Sequence, residues 1–177
     1  MFIVDLEQNL VLPMAETLTL PVGAGKEEIY KALVPQIKEV ISVSDDSIAN
    51  MANIAAILKQ AFNFHWVGFY RTTAPQTLVL GPFQGPLACV TIPFSKGVCG
   101  AAASQRKTVL VPDVEQFPGH IACSSLSRSE IVIPLVAGNE TRLILDIDSD
   151  KLNDFNAIDQ SYLEEVVRLL HLRHFSG

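Results

Sequence analysis

Hydrophobic positions along the chain change from helical spacing to strand-like alternation and back to helical spacing. Apolar residues recur at helical intervals over Lys26–Ser42, where Pro35 is expected to kink or break the helix. A second helix is predicted from Ile48 to Phe62, because Asp46 and its neighbours offer an N-terminal cap. A final helix is predicted over Ala157–His174. Helices therefore bracket the middle of the chain.

The middle of the chain is predicted to form short strands and loops. Runs of β-branched and aromatic residues predict strands at 64–71, 76–81, 89–92, 108–111, 130–136 and 142–148. A loop leads into a short helix at 97–103, and the Pro-, Gly- and Ser-rich stretch 112–126 is a predicted loop. The expected fold class is α+β, with roughly six strands in a mainly antiparallel sheet flanked by helices. Residues 1–24 are a predicted N-terminal arm, and residues 25–177 a single domain.

Composition and charge exclude several classes of function. Hydrophobic residues make up 49% of the 177 and charged residues 18%, which provides for a core and argues against disorder. The net charge is −6 and no Lys/Arg cluster stands out, so nucleic acid is not an expected partner. The N-terminus lacks a signal-peptide pattern, and no apolar run approaches the ~20 residues that span a membrane. We therefore expect a cytoplasmic protein.

The three cysteines, Cys89, Cys99 and Cys123, all lie in turn-rich stretches beside Gly or Pro. Loops leave sulfur accessible, so these positions indicate thiol redox chemistry. A metal site of the three cysteines with His120 is an alternative, but zinc ligands are usually closer in sequence, and no metal is expected. Cys99 lies at the predicted start of a helix, whose dipole would stabilise a thiolate and favours it as the nucleophile. His120 would activate Cys123 in a similar way, and Cys89 is the least activated of the three.

Carboxylates supply a second candidate constellation. Asp146 and Asp148 are two residues apart in a predicted strand, so they face the same side, and Glu130 can join them from the preceding strand. Carboxylates held together repel each other, which raises at least one pKa and leaves a proton for donation. They would also bind a substrate ammonium group. The plainer alternatives are exposed carboxylates at a strand end, or a pair that binds a divalent cation.

Aromatic residues mark a third candidate feature. Trp66, Gly68 and Tyr70 face one side of the predicted strand 64–71. A glycine between two aromatic residues leaves a gap that suits a small ligand held between rings. The alternative is that both rings belong to the core.

Taken together, these segments resemble the free methionine-(R)-sulfoxide reductases, which are stand-alone GAF-domain enzymes. The resemblance rests on NFHWVGFY, LVLGPFQG, GVCGAAA, VPDV, FPGHIAC, SEIV and LDIDS, which fall between residues 63 and 149. It covers about 63–150 densely and the flanking helices in order only. A cysteine at all three positions together with GPFQG and GHIAC is a specific match. The resemblance implies a GAF-like fold for the domain.

The resemblance also implies a mechanism and a set of site residues. Cys123 is then the nucleophile that becomes a sulfenic acid, Cys89 resolves it to a disulfide, and Cys99 is an auxiliary thiol. This assignment disagrees with the helix-dipole argument for Cys99. The substrate-binding residues are Trp66, Tyr70, Glu130, Asp146 and Asp148. A peptide-bound sulfoxide would leave buried carboxylates unpaired, so the free amino acid is the expected substrate.

Partners and rival functions follow from the same resemblance. Electrons are expected from thioredoxin, with no cofactor, and GAF domains often dimerise through terminal helices, which admits a homodimer. A rival function is a GAF module that binds a small molecule and transmits a signal. Another is a protein that senses oxidants through its thiols without turning over a substrate. A small-molecule sensor does not need three cysteines around its pocket, and an oxidant sensor predicts disulfide formation with peroxide but no turnover.

Overall fold

The computed structural model describes residues 17–119 and 125–176. Within these ranges the helices are α1 Lys26–Ser42, α2 Ser47–Phe62, α3 Gly97–Gln105 and α4 Ala157–His174, with a 3-10 turn at Val114–Gln116. The strands are β1 Trp66–Ala74, β2 Thr77–Gln84, β3 Thr91–Pro93, β4 Val109–Val111, β5 Ser129–Ala137 and β6 Glu140–Ser149. No helix in the described part of the chain is both long and apolar enough to cross a membrane.

The strands form one six-stranded sheet in the order β3-β2-β1-β6-β5-β4. All of its pairings are antiparallel. This arrangement confirms the predicted α+β class with a mainly antiparallel sheet. The two long central strands, β1 and β6, lie side by side, so residues of both can converge on one site.

Alternation along the strands divides the interior into two cores. Residues such as Leu145 and Ile147 pack with the buried faces of α1, α2 and α4 on one side of the sheet. Ile144 and Val132 point to the other side, where α3 packs with Trp66 and Tyr70. Successive side chains of a strand face opposite ways, so each strand contributes to both cores. The second, smaller core contains the candidate site.

A buried carboxylate fastens α4 to α1. Asp159 is fully buried at the start of α4, where it accepts hydrogen bonds from Tyr30 Oη at 3.0 Å and Lys26 Nζ at 3.1 Å. Its carboxylate also accepts from the backbone N–H of Asn156, the helix cap, at 2.9 Å. One side chain therefore caps a helix and pairs with a second helix.

The predicted helices are confirmed, and the structure differs from the sequence predictions at two places. α1 continues through Pro35, which has no N–H to donate to the carbonyl of Lys31, four residues earlier. Both residues are exposed, so water can take the place of the lost hydrogen bond. The third strand begins at Thr91, two residues later than predicted, so Cys89 precedes it in a loop. Residues 1–16 lie outside the described part, and the division into a 1–24 arm and a 25–177 domain stays a prediction.

Candidate active site

Strand register brings the three predicted carboxylates together. Asp148 is the cross-strand partner of Glu130 on β5 and of Trp66 on β1, and Asp146 is opposite Gly68. Cross-strand partners have neighbouring side chains on the same face, here the face covered by α3. Glu130, Asp146 and Asp148 all line one cavity with Trp66 and Tyr70.

Burial changes the acidity of these carboxylates. Glu130 and Asp146 are each 5% exposed. Burial raises the pKa of both well above the ordinary range, and the neighbouring carboxylates raise it further. Burial also raises the pKa of Asp148, to about 6, although a hydrogen bond from Ser127 opposes the shift. The cluster therefore retains protons near neutral pH and can donate one to a bound oxygen.

Cys99 lies at the start of α3 and reaches the same cluster. It carries a free thiol, is 5% exposed, and its Sγ donates to Glu130 Oε1 at 3.7 Å. Burial raises its pKa well above the ordinary thiol value, and the carboxylates of Asp146 and Glu130 raise it further. The expectation that the helix dipole makes Cys99 an activated thiolate is therefore wrong. Burial and two adjacent carboxylates outweigh a partial charge of about half a unit at the helix end.

The aromatic wall differs from its prediction in one respect. The ring of Trp66 lies over Gly68, where an added Cβ would be 2.4 Å from Trp66 Cη2. The indole stacks on Phe83 at 5.4 Å between centroids and on Tyr70 at 5.9 Å. The expected gap at Gly68 is therefore filled by the indole itself, and no ligand can occupy it. Ligand space lies beside the rings, toward the carboxylates.

Two hydrogen bonds connect the aromatic wall to the loop that carries Cys89. Trp66 Nε1 donates to the carbonyl of Pro86 at 3.1 Å, and Tyr70 Oη donates to the carbonyl of Cys89 at 3.0 Å. Gly85, with φ +137°, lets this loop pass against the indole, since an added Cβ would be 2.6 Å from Trp66 Cδ1. The aromatic residues thus position the loop of Cys89 at the edge of the cavity.

The other two cysteines of the predicted site are Cys89 and Cys123. Cys89 is half-buried and disulfide-bonded. Cys123 lies outside the described residues, as does His120. The roles assigned to the three cysteines stay predictions.

Several lining residues were missed by the sequence reading: Leu87, Ala88, Ile92, Lys96, Gly97, Val98 and Ser127. Lys96 is the one Lys or Arg among the described lining residues, and its ammonium group can pair with an anionic group of a ligand. Its position just before the glycine that begins α3 was the available signal, because loop-to-helix junctions favour anion binding. Ser127 belongs to a loop without a motif, and only the fold shows that it reaches Asp148.

Comparisons with known proteins agree with this fold. The family model of the GAF domain matches residues 50–171. The chain is 54% identical over 157 residues to GAF domain-containing protein A of Dictyostelium discoideum, covering 89% of this chain and 99% of that protein. It is 38% identical over 155 residues to the free methionine-R-sulfoxide reductase of Saccharomyces cerevisiae, covering 83% of this chain and 86% of that protein.

A solved structure is similar over almost the same length. The free methionine-R-sulfoxide reductase of Neisseria meningitidis, determined in complex with its substrate, superposes with a TM-score of 0.84 at 48% identity. The match covers 89% of this chain and 95% of that one. The chain therefore belongs to the GAF-domain family, and within it to the free methionine-R-sulfoxide reductases.

Proposed function

We propose that this chain reduces the R epimer of free methionine sulfoxide to methionine, using its cysteines and thioredoxin. The observation that carries the proposal is the cluster of buried Glu130 and Asp146 with half-buried Asp148, beside Trp66 and Tyr70. The proposal is supported by relatives that bear the name of this activity and match most of the chain. A cytoplasmic location belongs to the same proposal, because recycling by thioredoxin needs a reducing compartment.

In the proposed reaction the thiolate of Cys123 attacks the sulfoxide sulfur while a buried carboxyl group protonates the sulfoxide oxygen. The hydroxyl group then transfers to the Cys123 sulfur as the bond between the two sulfur atoms breaks, and its electron pair stays with methionine, which departs as the thioether. Cys123 is left as a sulfenic acid. The Cys89 thiol then attacks Cys123, releases water and forms the disulfide. Thioredoxin reduces this disulfide by thiol–disulfide exchange and is itself oxidised. Two electrons pass from thioredoxin to the substrate, so no other cofactor is needed.

The carboxylates also explain why a free amino acid is the proposed substrate. An ammonium group can pair with the charge of the cluster, whereas the amide of a peptide-bound methionine sulfoxide cannot. A buried carboxylate left without its partner costs several kcal/mol, which corresponds to strong discrimination. The ring faces of Trp66 and Tyr70 are suited to contact the methyl and sulfoxide end of the same molecule.

The decisive experiment is chiral chromatography of racemic free methionine sulfoxide incubated with the protein and a thioredoxin reducing system. We expect loss of the R epimer alone, equimolar methionine, and no reaction with an N-acetylated analogue. If neither epimer is lost while the thiols are shown to be reduced, the enzyme proposal fails. A GAF module that binds small molecules, or senses oxidants without turnover, would then account for the site.

Cysteine variants test the assigned roles in the same assay. Cys123→Ser should abolish turnover, because no sulfur remains to take the oxygen. Cys89→Ser should release about one methionine per chain and then stop or slow, because the sulfenic acid cannot be resolved efficiently. Wild-type rates over many turnovers in both variants would contradict the scheme.

A further inference from the structure

In the described part of the structure, the same pocket also contains a group of side chains that could bind a metal ion. Donor atoms of Cys99, Glu130 and Asp146 all lie within 4.8 Å of one another. They come from three elements, α3, β5 and β6, and each residue is only 5% exposed. Sequence spacing cannot reveal such a group, since 31 residues separate Cys99 from Glu130.

One buried oxygen of this group lacks a partner. Asp146 Oδ1 is buried and accepts no hydrogen bond from the described residues. A buried polar atom without a partner costs about 1–3 kcal/mol, and a bound ion or water is one arrangement that would satisfy it. The atom belongs to a side chain in the same cluster as the Cys99 thiol and the Glu130 carboxylate.

The separation of the Cys99 sulfur from the Glu130 carboxylate fits two ligands of a tetrahedral ion. With zinc–sulfur and zinc–oxygen bonds of about 2.3 and 2.0 Å, a tetrahedral angle separates the sulfur and oxygen ligands by about 3.5 Å. Cys99 Sγ and Glu130 Oε1 are 3.7 Å apart, so this pair needs a movement of only a few tenths of an ångström, and the ligand oxygen of Asp146 lies within 4.8 Å of both. The cavity beside them has a volume of about 40 Å³, enough for an ion and a bound water.

We propose that Cys99, Glu130 and Asp146 form a zinc-binding site whose fourth position opens into the pocket, and that zinc bound there excludes the substrate. One thiolate and two carboxylates suit Zn²⁺ or Co²⁺, whereas Ca²⁺ and Mg²⁺ take six or more oxygen ligands. Binding displaces the protons of the ligands, as at other thiolate sites. The site rests on the geometry alone, and the exclusion of substrate rests on the proposed function.

Cobalt is the probe, because a thiolate bound to Co²⁺ gives a near-ultraviolet charge-transfer band. The full chain is used in its disulfide form, in which Cys99 is free, so that binding to reduced Cys89 does not contribute. We expect the band to saturate at one Co²⁺ per chain and to vanish when equimolar Zn²⁺ is added. Zinc should win because it binds such ligands more tightly than cobalt.

Variants assign the ligands. Cys99→Ser should abolish the band, and Asp146→Asn, which keeps the thiol, should weaken Co²⁺ binding at least tenfold. Asp150→Asn is the matched control, since Asp150 is an exposed carboxylate just beyond the same strand. A band that persists in Cys99→Ser, or binding that is unchanged in Asp146→Asn, would overturn the site. So would the absence of a band in the wild type.

Substrate separates this proposal from the proposed function. Methionine sulfoxide added to the disulfide form cannot turn over, so it should compete and raise the apparent Kd for Co²⁺ linearly with its concentration. A band that forms but ignores methionine sulfoxide would retain the metal site and refute the exclusion of substrate. If the chromatographic assay shows no turnover while the Co²⁺ band still forms, the enzyme proposal is refuted and the metal site is retained.

Discussion

At the scale of single residues, two glycines determine where the indole of Trp66 lies. Gly68 is beneath the ring and Gly85 beside it, and a Cβ at either position would come within 2.6 Å of the indole. Real Cβ atoms do not approach so closely, so the ring depends on both glycines. The absence of two side chains shapes the aromatic wall as much as the rings themselves do.

We predict that Gly68→Ala displaces the indole, because the new methyl group would lie 2.4 Å from both Trp66 Cη2 and Phe83 Cβ. Overpacking of this kind costs about 1–3 kcal/mol. The variant should lose that much stability in urea, change the Trp66 fluorescence, and raise KM in the chromatographic assay. Gly25→Ala is the control, since its Cβ would meet only Glu28 Oε2, at 3.9 Å. Fluorescence and KM equal to wild type in Gly68→Ala would contradict this reading.

Residue-level reasoning predicted that Glu130, Asp146 and Asp148 lie together, as they do, but misjudged Cys99. The helix N-terminus that favours a thiolate was predicted correctly, and α3 begins at Gly97 as expected. The sequence could not reveal that Glu130 and Asp146 meet the sulfur there, because that contact depends on the tertiary pairing of α3 with β5 and β6. A dipole argument needs the neighbours of the helix end as well as the helix.

At the scale of elements, the junction between α1 and α4 rests on Asp159. It is fully buried and holds Tyr30, Lys26 and the cap residue Asn156 at hydrogen-bond distance. Lys26 keeps a second contact with Asp154 and is partly exposed, so it can be rehydrated if Asp159 is lost. The hydroxyl of Tyr30 is buried and would lose its partner.

We predict that Asp159→Ala lowers the free energy of unfolding by about 2–4 kcal/mol, because it removes a cap and leaves the buried hydroxyl of Tyr30 unpaired. Urea unfolding followed by circular dichroism measures the change. Glu165→Ala on the same helix is the matched control, since its ion pair with Arg168 lies at the surface and should contribute less than about 1 kcal/mol. Equal losses in the two variants would show that burial of Asp159 is unimportant.

Helices and strands were predictable to within a few residues because their patterns are local. Asp46 caps α2 with its side chain, as the sequence indicates, and Gly138, with φ +63°, turns β5 into β6. The order of strands and the stacking of Trp66 over Gly68 were not predictable. They depend on which strands pair. The alternation of polar and apolar residues predicts which face of the sheet a side chain occupies, but it does not predict which strand lies beside it.

At the scale of the whole molecule, the pocket opposes the stability of the fold. Three carboxylates are held together with little water, and burial raises the pKa of each. In the unfolded chain the same groups ionise near pH 4. The folded protein therefore binds more protons than the unfolded chain above that pH, and its stability falls as the pH rises.

We predict that Asp148→Asn reveals this linkage. The pKa of Asp148 is about 6 when folded, so its contribution is fully present below pH ~4 and is lost as the pH rises through about 6. The two proteins should therefore be similarly stable near pH 4, and the amide of the variant cannot ionise at higher pH. The free energy of unfolding of the variant should exceed that of wild type by about 2–3 kcal/mol near pH 7.5.

Urea titrations at several values between pH 4 and 7.5 measure this difference directly. Asp150→Asn provides the control, because Asp150 is exposed just beyond the same strand, and its stability should follow the wild type at every pH. The expected difference arises because burial raises the pKa of Asp148. A difference in the free energy of unfolding between Asp148→Asn and wild type that is the same at every pH would contradict this explanation. If the free energy of unfolding of Asp148→Asn increasingly exceeds that of wild type as the pH rises, the wild-type pocket retains ionisable carboxylates at a cost in stability. Such a cost is expected where carboxylates serve proton donation and ligand binding.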